Sequence, residues 1–244
     1  VNTGCDLTTF TPQIKPNVTS WRGARASTFF QSIRGMQTSK YATYGFVNDT
    51  SYDIHISKNS EWGAVAYLSQ SKYGKYGNLN YTGANKEIYQ NKSSEYITGM
   101  SNGTPSTDTV NTQVTYDTPD TGYGASSTGT IYGIYDMSGG SYDLVMGVFA
   151  DSNGQPVSGM DDYFNSGFNG PFVTTNDNYS AGVDFPEAKY YDLYTGEDAT
   201  TACGGGVCYG HALSETAGWY QDAQIIGEYF PWFFRSGRVD ESVV

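Results

Sequence analysis

Between residues 72 and 130 the chain carries Gly, Asn, Ser, Thr and Tyr with few aliphatic side chains, in runs such as SNGTPSTDTVNT and DTPDTGYGASSTG. Such a stretch cannot remove much apolar area from water, so long regular elements there would lack a driving force. It is expected as surface loops with short strands, and any core must be built from the segments on either side. Residues 151 to 186 have the same loop composition.

Two segments have helical periodicity. Over residues 26 to 40, Phe29, Phe30, Ile33 and Met36 recur at spacings of three and four, while Gly35 weakens the second half. In SKNSEWGAVAYLSQS, Ser57 is expected to cap a helix from about 58 to 70, with Glu61 in its first turn. Trp62, Val65, Ala66 and Ser69 then share one face, and Trp62 reads as a core residue. Pro12 and Pro16 break residues 1 to 20 into an extended lead-in. Strand character follows at 131 to 149, around a turn at Ser138, Gly139 and Gly140, and returns in AKYYDLY, CGGGVCYGHAL and GEYFPWFFRSG. No repeat of fixed period is visible. The pattern predicts one α+β domain over residues 1–244, with two helices, many short strands and extensive loops.

A net charge of −12 without a basic run leaves nothing to neutralise phosphates, which argues against nucleic acid and anionic lipid as partners. No apolar run reaches the roughly 20 residues of a membrane span. The 22 tyrosines stand out beside a charged content of only 16%. Tyrosine combines a broad ring with one hydrogen bond, which suits either recognition surfaces or half-buried strands. Of three cysteines, Cys203 and Cys208 flank a loop with three consecutive glycines, and a local disulfide is expected between them, with two independent thiols as the alternative. A disulfide would fit an oxidising, extracellular setting. Cys5 is left as a free thiol or as half of a bridge to a partner upstream. Asn-x-Ser/Thr sequons occur at Asn17, Asn48, Asn80, Asn91, Asn102 and Asn178.

Signals for catalysis are sparse. No Gly-x-Ser-x-Gly elbow, phosphate loop or His-Glu-x-x-His helix occurs, and of His55 and His211 neither has a marked serine partner. Asp151, Asn153, Asp161 and Asp162 are oxygen ligands of the kind calcium takes, but their spacing departs from the calcium-loop pattern and reads as a solvated turn.

Three motifs carry a resemblance. TIYGIYDMSGGSYDLVMG resembles the Gly-Leu-Tyr-Asp-Met segment of the formylglycine-generating enzyme family, through Ile134, Tyr135, Asp136, Met137 and Gly139. ISKNSEWGAVAYL looks like that family's Glu-Trp-Glu-Tyr-Ala-Ala helix, matched by Glu61, Trp62, Ala64 and Ala66. YFPWFFRSG is similar to its Arg-Gly-Gly-Ser-Trp segment at Arg235 and Gly237. The resemblance spans about 55 to 238 and implies a C-type-lectin-like fold, closest to non-catalytic bacterial and phage surface proteins, including retroelement-diversified variable proteins. Family members continue past the Arg-Gly-Gly turn into a closing strand, so the chain is expected to lack terminal strands. The enzymes of the family use a cysteine pair near the C-terminal end, and no cysteine follows position 208. Gly139, Gly140, Ser141, Tyr142 and Asp143 replace the calcium-associated Gly-Asn-Val-Trp-Glu, which removes a carboxamide ligand. No metal or cofactor is therefore expected, and a structural calcium at Gly140 is not supported.

These observations lead to a non-catalytic recognition domain, extracellular and displayed on a cell surface or virion. It would bind a host or bacterial surface protein or glycan through C-terminal loops around Trp219, Tyr220, Asp222, Arg238, Asp240 and Glu241. Alternatives are an oxidase of the formylglycine-generating type using Cys203 and Cys208, or a structural subunit of a pilus or virion fibre. The glycine turn at Ser138, Gly139 and Gly140 is expected to be scaffold that lets Tyr135 and Tyr142 pack. Thiol titration separates the first two readings: Cys203 and Cys208 are expected in one unreactive, cross-linked peptide before reduction, and a low-pKa reactive thiol at either position would favour the oxidase.

Overall fold

The computed structural model describes residues 11–47, 50–103, 113–150, 168–169, 183–195 and 232–236. The chain forms helices α1 (Ala26–Gln37) and α2 (Asn59–Ser69), then strands β1 (Met100–Ser101), β2 (Val114–Thr115) and β3 (Asp143–Ala150). Strands β4 (Phe168–Asn169), β5 (Val183–Asp184), β6 (Asp192–Thr195) and β7 (Trp232–Arg235) complete the described elements, with single turns of 3₁₀ helix in the loops. This is a mixed α+β arrangement of two helices and small sheets among the described residues. Among the described residues between 72 and 130 the regular structure is limited to two-residue strands and 3₁₀ turns, as the shortage of aliphatic side chains dictates. No helix among the described residues is long and apolar enough to cross a membrane.

The main sheet has the order β6–β3–β7, with β3 parallel to β6 and antiparallel to β7. Among the described strands, β3 is the longest and the one with partners on both sides, and its Val145, Met146 and Val148 are almost fully buried. Its pairing with β7 jumps from Val145↔Phe233 to Val148↔Trp232, a bulge at Met146 and Gly147. The displaced Met146 N–H is not wasted. It donates to the Ser57 carbonyl at 2.9 Å, which ties the sheet to the segment that starts α2.

Helix α2 begins one residue later than Ser57 would place it. Lys58 is the cap position, its N–H donates to Glu61 Oε2 at 2.8 Å, and the Ser60 N–H donates to Asp192 Oδ2 at 2.7 Å. Ser57 is excluded from capping because its own carbonyl is taken by β3. Two carboxylates therefore occupy the positive end of the helix, one from within it and one from β6. The face formed by Asn59, Trp62, Gly63, Ala66 and Ser69 is buried, with Val65 at its margin. Helix α1 stops at Gln37, two residues beyond Gly35, rather than at 40. Its Phe30 packs on the core while Phe29 turns to Trp21, with ring centroids 4.4 Å apart.

The core holds Ala26, Met146, Val148, Phe168 and Trp232, with Phe30, Phe185 and Tyr191 packed around them. Phe168 meets Phe30, Phe185 and Trp232 at centroid distances of 5.6–5.7 Å, mostly edge to face. Each such ring removed from water contributes roughly 1.5–3 kcal/mol, so this aromatic cluster substitutes for the missing aliphatic residues. Of the sequons, Asn91 and Asn102 are buried side chains and cannot accept a glycan in the folded chain.

Gly147 lies where β3 and α2 approach closely. A Cβ there would come within 2.7 Å of the Phe233 ring and 2.9 Å of Asn59 Cβ. Gly147→Ala is expected to cost about 1–3 kcal/mol in equilibrium denaturation by overpacking. An unchanged midpoint would show that β3 and α2 approach less closely.

Candidate functional site

The three sequence motifs converge on one buried polar centre. The β7 residue Arg235 is 1% exposed, and its Nε donates to Asn59 Oδ1 on α2 at 2.7 Å. Asn59 Nδ2 donates in turn to the Tyr194 hydroxyl on β6 at 2.8 Å, and the Tyr194 ring stacks on Phe233 at 5.3 Å. The Arg235 guanidinium lies 5.1 Å from the Trp62 ring centre. Trp62 Nε1 donates to Asp143 Oδ2 at 3.4 Å, and Asp143 is the register partner of Arg235 across β3 and β7. Arg235, Trp62 and Asp143 thus come from three separate stretches of sequence into one network.

The glycine turn closes this centre. Gly139 and Gly140 adopt φ of +74° and +76°, and Asp136 sits in the same left-handed region at +63°. Asn91 N–H donates to the Ser138 carbonyl at 2.8 Å, and Gly140 N–H returns a bond to the Asn91 carbonyl at 2.7 Å. A Cβ on Gly139 would lie 2.2 Å from that carbonyl oxygen, so no other residue fits. Ser236 Oγ donates to the Gly139 carbonyl at 3.0 Å and fixes the end of β7 against the turn. Tyr135 packs edge to face on Tyr116, and Tyr142 on Phe234. Close approach to Asn91, rather than contact between those two tyrosines, is what demands glycine.

Asp136 is held by its neighbours. Its carboxylate accepts from Asn91 Nδ2 at 2.8 Å and, through both oxygens, from the Gly99 N–H at 2.9 and 3.0 Å. Burial raises its pKa, and these bonds oppose the rise. Asp143 keeps some exposed surface, yet burial of its carboxyl pushes the pKa up to about 8, with the charge of Asp136 adding to the effect and the Trp62 N–H opposing it. No group of three or more His, Cys, Asp or Glu able to hold a metal occurs among the described residues. The bonds from Arg235 to Asn59, Asn59 to Tyr194 and Trp62 to Asp143 all run between protein groups, which makes this centre a framework.

Two other clusters stand apart. His55 Nε2 lies 3.1 Å from Glu61 Oε2, and Asp53 accepts from Arg34 Nη1 at 2.6 Å and from the Tyr190 hydroxyl at 3.3 Å, an arrangement that fastens α1 to the start of α2. Lys75 is completely buried. Its Nζ donates to the Glu87 carbonyl and lies 3.4 Å from the Tyr89 ring centre and 4.5 Å from that of Tyr81. Burial lowers its pKa to about 6, against the opposing pull of Glu87. Sequence reasoning passed over Lys75, because a lysine in a polar run gives no sign of burial.

The residues expected to bind ligand, Trp219, Tyr220, Asp222, Arg238, Asp240 and Glu241, lie outside the described residues, as do Cys5, Cys203, Cys208 and His211. The acidic stretch Asp151 to Asp162 also lies outside them. Compared with known protein families, curated proteins and solved structures, the chain has no significant match.

The two perturbed groups give opposite pH signatures. Native Asp143 keeps its proton up to about 8, whereas the unfolded chain releases it near the ordinary carboxylate value of 3.8, so its contribution to stability falls as pH rises across that window. Native Lys75 takes up its proton only below about 6, whereas the unfolded chain holds it to 10.5, so its contribution rises with pH across that window. Denaturation series are expected to show Asp143→Asn gaining on the parent from pH 5 to 8, and Lys75→Met losing to it from pH 6 to 10. Parallel curves would contradict both assignments.

Proposed function

We propose that the chain is a non-catalytic recognition domain of the C-type-lectin-like fold, of the formylglycine-generating-enzyme type, displayed outside the cell or on a virion. It binds a surface protein or glycan through the residues that precede and follow β7 in the sequence. The convergence of the three family-like motifs on one centre supports the fold reading, since the resemblance placed Glu61–Trp62, Asp136–Gly139 and Arg235 in separate segments.

The observation that carries the functional reading is the anchoring of β7. Trp232, Phe233 and Arg235 are buried, Arg235 is bound to α2, and Ser236 is bound to the glycine turn. Arg238, Asp240 and Glu241 follow Ser236 within a few residues, and Trp219, Tyr220 and Asp222 precede Trp232 by about ten. A strand fixed this firmly gives substituted or variable side chains beside it a constant point of departure, so ligand contacts can change without cost to the core.

Binding of the purified protein to bacterial and host cell surfaces, read by flow cytometry, tests this reading. The double variant Trp219→Ala/Tyr220→Ala and the single variant Arg238→Ala are each expected to lose at least about tenfold in affinity with the melting temperature unchanged. Binding that survives both would dismiss the C-terminal face as the ligand surface.

A further inference from the structure

A separate cleft lies far from the β7 centre in sequence, within the loop region. It has a volume of about 330 Å³, in the range of small-molecule sites, and is open to solvent. Its floor is formed by Tyr81 and Tyr89, whose rings meet edge to face with centroids 6.0 Å apart. One wall is the 3₁₀ turn that carries Asn85, with Asn80 and Thr82 ahead of it, and the other is the turn at Asp120.

The floor is rigid. Lys75 supports both rings from beneath. The Tyr81 hydroxyl donates to the Asp120 carbonyl at 2.9 Å, and the Tyr89 N–H to the Gly124 carbonyl at 2.8 Å. A Cβ on Gly124 would lie 2.0 Å from the Tyr89 ring, and one on Gly129 would lie 2.6 Å from the Tyr81 ring, so both glycines exist to admit these side chains. Asp120 itself is held at φ +62°, a left-handed conformation, by bonds to its carbonyl from Tyr81 and from the Gly124 N–H. Its carboxylate is thereby presented from a fixed backbone.

The walls differ from the floor in one respect. Asn80, Thr82, Asn85 and Asp120 are exposed, and none of their side chains makes a hydrogen bond among the described residues. Elsewhere in this loop region Asn, Ser and Thr side chains are spent on local structure: Asn78 bonds Gly129, Asn91 bonds Asp136 and Ser126 bonds Thr128. Two amides, a hydroxyl and a carboxylate thus converge, uncommitted, over a preformed floor.

We propose that this cleft is a binding site for a neutral saccharide, distinct from the C-terminal face. Amides donate and accept, and a carboxylate accepts from two neighbouring hydroxyls, so the set matches a ring with many hydroxyl groups. An anionic ligand is disfavoured, because Asp120 stands at the rim and no lysine or arginine is among the lining residues. A peptide would need apolar side-chain pockets or a free strand edge, and the walls are polar side chains on turns.

The full chain would be screened on an array of neutral and acidic oligosaccharides, and the strongest neutral one titrated by calorimetry against wild type, Asn85→Ala and Asp120→Gly. Glycine suits the positive φ at 120, so the second variant removes the carboxylate without disturbing the turn. At least tenfold weaker binding by each variant, with unchanged melting and with Trp219→Ala binding normally, is the expected result. Absence of any neutral saccharide signal, preference for acidic ones, or loss of binding with Trp219→Ala alone would overturn the proposal. The last outcome would leave the C-terminal face as the saccharide site, whereas failure of the cleft variants alone leaves the reading of that face untouched.

Discussion

The junction of the main sheet with helix α2 leans on the bulge in β3. By spending two residues opposite one step of β7, the strand turns the Met146 N–H toward Ser57 while Gly147 keeps its register with Asp192. One strand thereby binds two strands and a helix start. Regular pairing would have left the start of α2 without its backbone-to-backbone link to β3. It would also have separated Asn59 from Arg235, the pair that buries a guanidinium at 1% exposure with a hydrogen bond at its Nε. The glycine at the bulge is required by the same closeness, since α2 and Phe233 occupy the space of a side chain.

Around this junction, aromatic rings and short polar side chains replace the aliphatic packing of an ordinary core. The cluster of Phe30, Phe168, Phe185, Tyr191 and Trp232 supplies the apolar area near the sheet. In the loop region Tyr81, Tyr89 and Ala125 form a second, smaller core. A chain with little regular structure must satisfy its backbone in other ways, and here carbonyls and N–H groups cross between distant turns, as at Asn91 with Ser138 and Lys75 with Ser127. The result is irregular and yet fixed by bonds between segments remote in sequence.

Much of the frame was legible in the sequence. Periodicity located both helices, composition announced the loops, and the strand character of GEYFPWFFRSG is realised as β7. Helix ends were less legible because they depend on remote partners: Glu61 and Asp192, not Ser57, supply the acceptors at the start of α2. The need for glycine at 139 was visible, but its cause, the Asn91 carbonyl, was not. The ligand-binding residues chosen from the sequence fall outside the described part, and the cleft at Asn85 and Asp120 gave no sequence signal, because its residues are the commonest in the loops.

The sequence by itself determined where apolar surface could be buried and where it could not, since that follows from which side chains occur at what spacing. Only the tertiary structure decided that Lys75 would lie beneath two tyrosines, that Asp143 would face Trp62, and that four polar side chains would be left over at one cleft. Those outcomes depend on which distant segments exclude water from one another, and exclusion is a property of the packed whole that local spacing does not carry.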